Sequence, residues 1–325
     1  MELVDSYGRT INYLRLSVTD RCNFRCRYCM PAEGVSLRHH DEILSYEEFL
    51  VIARAAISMG VEKIRITGGE PLLRRGIVDF IRSLATLPGL RHLALTTNAF
   101  LLEEMADDLK SAGLHRLNIS LDSLDPQTFA HITRGGDLER VMAGIAAASL
   151  AGFPIKLNMV PMRGVNDHEI IRFATLTLDH PYAVRFIEYM PAAKSDDWKS
   201  LLVPGGEILD RIASHFRLVP RDKGRYSGPS RDFAIEGGRG TIGIITPISG
   251  HFCSECNRIR VTSAGKVKSC LFSDAAVDLK PALAEGVEGV RRILEGVVCA
   301  KPKGHGMNET RQEGFTPFAM SGVGG

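Results

Sequence analysis

The segment VTDRCNFRCRYCM places Cys22, Cys26 and Cys29 within eight residues, with no fourth thiol beside them. Three soft ligands in C-x3-C-x2-C spacing can hold a metal centre, and the missing fourth ligand decides which one. Structural zinc closes a tetrahedron, whereas an iron-sulfur cube can rest on three thiolates and leave one iron for a ligand from outside the chain. A second trio, Cys253, Cys256 and Cys270, reads C-x2-C-x13-C. Here Cys299 follows further on, so a four-cysteine zinc site stays open on spacing alone. Seven cysteines is an odd number, and three of them lie too close together for an ordinary disulfide framework. That favours metal or redox chemistry in a reducing compartment.

These thiols need a scaffold, and the chain is long enough to supply one. Its 325 residues are 44% hydrophobic and 24% charged, which suits one large domain or a domain with a substantial appendage. The net charge of +2 provides no global field to recruit nucleic acid or an anionic membrane, so any basic site must be local. The first residues, MELVDSYGRTINYLRLSV, carry early acids and neither an export signal nor an organelle presequence. No apolar run approaches the roughly 20 residues that cross a bilayer. A cytoplasmic location, with no nucleic-acid or membrane partner, is expected.

Strand-like runs fall at 14–18, 63–67, 92–97, 116–121, 155–160 and 184–189, with helical segments at 45–60, 76–86, 101–112, 137–151 and 167–178 between them. Ser45 followed by Glu48 is a capping box that starts the first helix. Repeated strand-then-helix units specify an α/β fold with a parallel sheet, here an incomplete (βα)6 TIM-type barrel over residues 1–216. After about residue 216 the pattern breaks into glycine-rich loops, and residues 217–325 read as a C-terminal extension packed on the barrel.

The strands alternate in an unusual way. Parallel strands covered by helices normally read as near-continuous apolar runs. In this chain Arg15 and Ser17, Lys63, Arg65 and Thr67, Asn118 and Ser120, and Lys156 and Asn158 each take one face of their strands. If helices cover the outer face, this polar set points inward. Unpaired dry cations cost several kcal/mol, roughly, so the interior should be a wet cavity that holds an anion. The bland alternative is a half-solvated sheet. The first trio, in the loop after the first strand, lies at the barrel mouth where such folds keep their active sites.

The C-x3-C-x2-C spacing with Tyr28 beside its last cysteine resembles the signature of radical S-adenosylmethionine (SAM) enzymes, in which SAM is the missing ligand. TGGEP at 67–71 resembles their glycine-rich SAM motif. Over nearly the whole chain, LRLSVTDRCNFRCRYCMP, KIRITGGEPLLR, LTTN, RLNISLDSL, RFIEYMP, CSECNRIRV and the final Gly-Gly resemble the GTP 3′,8-cyclase (MoaA) family of molybdenum cofactor biosynthesis. The resemblance implies two 4Fe-4S clusters, one on Cys22, Cys26 and Cys29 and one on Cys253, Cys256 and Cys270. It implies SAM contacts at Tyr28, Gly69, Glu70, Ser120 and Met190. It implies GTP contacts at Arg15, Lys63, Arg65, Thr96, Lys156, Arg185, Arg258 and Arg260. Catalytic roles would then fall to Arg15, Arg258, Arg260 and the tail residues Gly324 and Gly325. Cys299 becomes a bystander in the core.

The implied reaction is radical cyclisation: a 5′-deoxyadenosyl radical takes the ribose 3′ hydrogen of GTP, and the ribose carbon joins guanine carbon 8, giving a molybdopterin precursor. A reductant for the clusters is implied, and the next enzyme of the pathway is a candidate partner. The sequence leaves a homodimer open. A peptide-modifying radical SAM maturase and a non-enzymatic iron-sulfur or zinc protein are the competing readings. His39 and His40 lie in a polar loop, and no histidine pair shows metal-ligand spacing in the sequence.

Overall fold

The computed structural model describes residues 2–190, 198–222, 224, 228–305 and 320. Strands β1 (Tyr13–Ser17), β2 (Lys63–Thr67), β3 (His92–Thr97), β4 (Arg116–Ser120), β5 (Ile155–Met159) and β6 (Ala183–Ile187) follow one another in parallel. The crossovers carry α1 (Tyr46–Ser58), α2 (Ile77–Ala85), α3 (Leu102–Ser111), α4 (Pro126–Thr133), α5 (Leu138–Leu150) and α6 (Ile170–Asp179). The expected capping box starts α1: Ser45 accepts from the Glu48 amide at 3.2 Å, and Glu48 accepts from the Ser45 amide at 2.7 Å. Two short helices, α7 (Trp198–Leu201) and α8 (Gly205–Ala213), lead into the C-terminal part.

The C-terminal part departs from its sequence reading. It contains β7 (Leu218–Arg221), β8 (Arg231–Ile235), β9 (Thr241–Ile245), β10 (Arg258–Val261), β11 (Lys266–Lys268) and β12 (Val277–Asp278), then α9 (Lys280–Leu283) and α10 (Gly286–Cys299). Rather than packing on the barrel, these strands continue its wall. β9 runs parallel beside β6 and β10 runs parallel beside β1, so the parallel row is β10-β1-β2-β3-β4-β5-β6-β9. Antiparallel β11 and β12 flank one edge, and β8 and β7 the other. Gly243 explains why β9 read as a loop. A side chain there would press on Asp232 Oδ1 at 2.8 Å and Arg185 Cγ at 2.9 Å, so close approach to β8 and β6 requires glycine.

The alternation of the strands has the consequence expected of it. Leu14, Leu16, Ile64, Ile66, Leu95 and Ile119 are all fully buried beneath the helices, packed with residues such as Phe49 and Ile52 of α1 and Phe80 and Ile81 of α2. Each such side chain contributes about 1.5–3 kcal/mol relative to exposure. The outer face is therefore apolar and covered, which leaves the opposite, polar face pointing inward. The half-solvated sheet is ruled out.

Candidate active site

Topology sets the two cysteine trios at opposite ends of this interior. The first trio follows β1, whereas Cys253 and Cys256 precede β10, its parallel neighbour. β11 runs antiparallel to β10, which returns the chain to the start of β10 and brings Cys270 to the same end. A single cavity is lined by all six of these cysteines.

Between the ends lies a wall of cations. Arg260, Arg15 and Arg65 stand at paired positions on β10, β1 and β2, and the row continues through Ala94 of β3 to Arg116 of β4. The adjacent row holds Arg258, Tyr13, Lys63 and His92. Like charges directly opposite one another destabilise a sheet, and here they are also withdrawn from water: Arg15, Arg185 and Arg260 are 6–8% exposed. Burial, reinforced by the neighbouring arginines, lowers Lys63 to about 8 and Lys156 to about 6, with Tyr13 opposing the shift at Lys63 and Asp232 opposing it at Lys156. Arg15 falls to about 10, chiefly through burial. Arg185 finds Asp232 at 3.7 Å. Yet among the described residues the Nε atoms of Arg15, Arg65, Arg116 and Arg185, the Tyr13 hydroxyl and Thr96 Oγ1 have no hydrogen-bond partner. Such a set fits a polyanion with many acceptor oxygens, for which arginine forks are well shaped.

At the first end, Gly69 lies so close to Arg21 that any β-carbon would collide with the Arg21 carbonyl, and one on Gly68 would meet the Thr19 carbonyl at 2.7 Å. The amides of Gly69 and Glu70 donate to the Thr19 and Arg21 carbonyls, both at 2.8 Å, which fastens the glycine turn to the cysteine loop. The Glu70 carboxylate accepts from Thr97 Oγ1, the Asn98 amide and the Leu72 amide at 2.8, 2.7 and 3.1 Å and so braces β2 to β3. Burial still raises it to about 7 against those donors. Tyr28 donates to Asp122 at 2.7 Å, and Asp122 also accepts from the Val160 amide at 2.9 Å. Burial pushes Cys22 up to about 12 and raises Cys26 strongly, the latter helped by Asp122 and Cys29. Such thiols give up their protons to solvent when they ligate a metal cation, which favours the thiolate. Three convergent thiols with no fourth cysteine at this end therefore fit an iron-sulfur cube with one open iron.

The second end is charged differently. Burial acts to raise Cys256, but Arg258 and Lys301 outweigh it and bring the thiol down to about 6. Lys301, itself 3% exposed, donates to the Arg258 carbonyl at 3.0 Å and to the Ser269 carbonyl. Arg9, paired with Asp5 at 2.5 Å, donates to the carbonyls of Cys253, Pro302 and Lys303 at 2.6, 2.7 and 3.1 Å, tying the chain's first residues to the cysteine loop. Glu188, fully buried just after β6, accepts from the amides of Gly205, Ile248 and Ser249 at 2.7, 2.9 and 2.9 Å and from the Ser249 hydroxyl. At the opposite mouth, just after β9, it fixes the start of the loop that runs on to Cys253. This trio too fits a three-thiolate cube. His251 and His305, far apart in sequence, meet at 3.4 Å beside Cys253, a juxtaposition that spacing could not reveal.

Every described residue among the sequence candidates lines this one cavity: Tyr28, Gly69, Glu70, Ser120 and Met190 with the cysteines, and Arg15, Lys63, Arg65, Thr96, Lys156, Arg185, Arg258 and Arg260 along the wall. Gly324 and Gly325 lie outside the described residues. One expectation is corrected. Cys299 is exposed, not in the core, because α10 buries Val290, Leu294, Val297 and Val298, and its last residue turns outward. Tyr13, His92 and Arg116 also line the cavity and were missed. Their strand parity matches that of Arg15, Thr96 and Asn118, so extending the alternation to the strand starts would have found them. Asp122, Glu188, Arg9 and Lys301 had no such signal, since each acts through contacts distant in sequence.

Known proteins identify the family and the fold. The family model of the Radical SAM superfamily matches residues 16–177, and that of Molybdenum Cofactor Synthesis C matches residues 182–307. A protein of Geobacter sulfurreducens named GTP 3′,8-cyclase is 60% identical over 327 residues, covering 100% of both chains. One of Moorella thermoacetica with the same name is 46% identical over 99% of both. Among solved structures, Streptococcus suis SuiB bound to S-adenosylmethionine superposes with a TM-score of 0.60 at 14% identity, over 84% of this chain and 64% of that one, a likeness of fold. The chain belongs to the GTP 3′,8-cyclase family and is built on the radical SAM fold.

Proposed function

We propose that this chain converts GTP to (8S)-3′,8-cyclo-7,8-dihydroguanosine 5′-triphosphate, the first step of molybdopterin precursor synthesis. The observation that carries this reading is the single cavity with a cysteine trio at each end and an arginine row between them. Cys22, Cys26 and Cys29 would hold one 4Fe-4S cluster, and Cys253, Cys256 and Cys270 the other. When bound, the first cluster supplies an electron to the sulfonium of SAM, and with it a carbon radical able to abstract hydrogen.

The protein's own part is placement. Gly68 and Gly69 leave backbone room beside the first trio, and the Tyr28–Asp122 hydrogen bond fixes an aromatic ring there. Arg15, Arg65 and Lys156 would draw the triphosphate down the wall. Arg258 lies 3.9 Å from the Cys256 sulfur and its guanidinium stands 5.0 Å from the Phe252 ring centroid. It thus links the wall to the second trio, where we place the guanine, with Arg260 beside it. Held between two anchored ends, the reacting atoms would meet at near-attack distance with water excluded. Gly324 and Gly325 we assign to the same reaction on sequence grounds alone. A one-electron reductant is required, and free thiols of this kind suit the cytoplasm. Among the described residues no helix is long and apolar enough to cross a membrane.

The test is anaerobic reconstitution, iron counting and an assay for 5′-deoxyadenosine with and without GTP. About eight irons per chain and GTP-stimulated cleavage are expected. About four irons with no response to GTP would refute the reading.

A further inference from the structure

Tyr13 has no place in the chemistry described so far, yet it sits at the centre of the basic wall. On the sheet it lies between Arg258 of β10 and Lys63 of β2. Its ring serves as a platform for cations, with Lys63 Nζ 4.4 Å and the Arg65 guanidinium 5.5 Å from its centroid. The residue is 3% exposed, and among the described residues its hydroxyl has no well-aligned hydrogen-bond partner. Leaving a buried hydroxyl unpaired costs about 1–3 kcal/mol.

The charged groups around it cannot take its hydrogen. The charges that reach the phenol are Arg15 on its own strand, Lys63 and Arg65 on β2, Arg258 and Arg260 on β10, and Arg185 on β6, all of them cations. Guanidinium and ammonium groups only donate. One of them brought into line would serve the lone pairs of the phenol oxygen, but its hydrogen would still need an acceptor. No described residue is placed to accept it, which points to the occupant of the cavity as the source.

We propose that Tyr13 is a further substrate-positioning residue, whose hydroxyl donates to a phosphate oxygen of the bound nucleotide. The inference rests on the reading that a nucleoside triphosphate occupies the cavity. Electrostatics support it: burial raises the phenol, but Arg65, Arg15, Lys63 and Arg258 outweigh burial and bring it to about 7, which makes it a strong donor. Phosphate charge beside it reverses that shift, so at pH 7.5 binding adds a proton to the fraction already ionised.

The experiment is titration calorimetry of the reconstituted protein with GTP and with guanosine, in buffers of different ionisation heat, for the wild type and Tyr13→Phe. The Phe variant keeps the ring beneath Lys63 and Arg65. The expected result is a Kd for GTP weakened by about tenfold, unchanged guanosine binding, and a smaller proton uptake with GTP. Equal GTP affinity and equal proton uptake in the two proteins would overturn this inference alone. An equal loss for GTP and guanosine would also overturn it, because it would mark a packing role. A wild type that binds no GTP would overturn the functional reading as well.

Discussion

The two ends of the cavity are built alike and charged oppositely. Each has three cysteines, and a buried carboxylate just beyond a strand bears on each: Glu70 after β2 braces the first end directly, and Glu188 after β6, at that same mouth, anchors the start of the loop that runs on to Cys253, both carboxylates being consumed by backbone amides and a hydroxyl. At the first end burial and a neighbouring acid, Asp122, keep Cys26 protonated, while at the second Arg258 and Lys301 favour the thiolate of Cys256. The difference shows how one chamber can sort two ligands. On the function proposed above, a cationic sulfonium would sit beside Glu70 and Asp122, and a polyanion along the arginine wall that leads to the second trio.

Breaking either end separates the two roles most sharply. Cys26→Ala should drop 5′-deoxyadenosine formation to background and lower iron from about eight to about four per chain. Cys256→Ala should lose the same iron yet retain SAM cleavage that no longer responds to GTP. If both variants cleave SAM equally, the ends are not distinct. Next comes the wall: Arg65→Gln should weaken GTP binding by about 10- to 100-fold and leave SAM affinity unchanged, as two equilibrium titrations would show. Glu188→Ala leaves three amides without their acceptor. It should cost about 2–4 kcal/mol in denaturant unfolding, with looser retention of the cluster on the second trio, to which the anchored loop leads.

A gentler probe is pH. Lys63 at about 8 and Lys156 at about 6 are depressed chiefly by burial, and bound phosphate would raise both. Binding therefore takes up protons, and GTP affinity should tighten as pH falls from about 9 to about 6; an affinity that weakens toward acid would contradict the assignment. Smallest of all, Cys299→Ser should leave the iron count unchanged and stability within about 0.5 kcal/mol.

Much of this was legible in the sequence because strand parity is local. Arg15, Arg65 and Lys156 announce an inward polar face within five-residue runs, and the cysteine spacing reads within one loop. The flanks of the sheet were not legible. β10 pairs with β1 across more than two hundred residues, and β9 hides behind Gly243, a glycine demanded by close packing rather than by a turn. The braces Glu188, Arg9 and Lys301 were silent for a related reason: nothing in a lone Glu, Arg or Lys says that it will be buried against distant amides or carbonyls.

The most direct test is a crystal structure of the anaerobically reconstituted protein with GTP. The expected density places triphosphate oxygens within hydrogen-bond distance of Arg15 and Arg65, with the guanine toward Cys253, Cys256 and Cys270. A nucleotide bound outside the wall, or one whose guanine points toward Cys22, Cys26 and Cys29, would contradict the account.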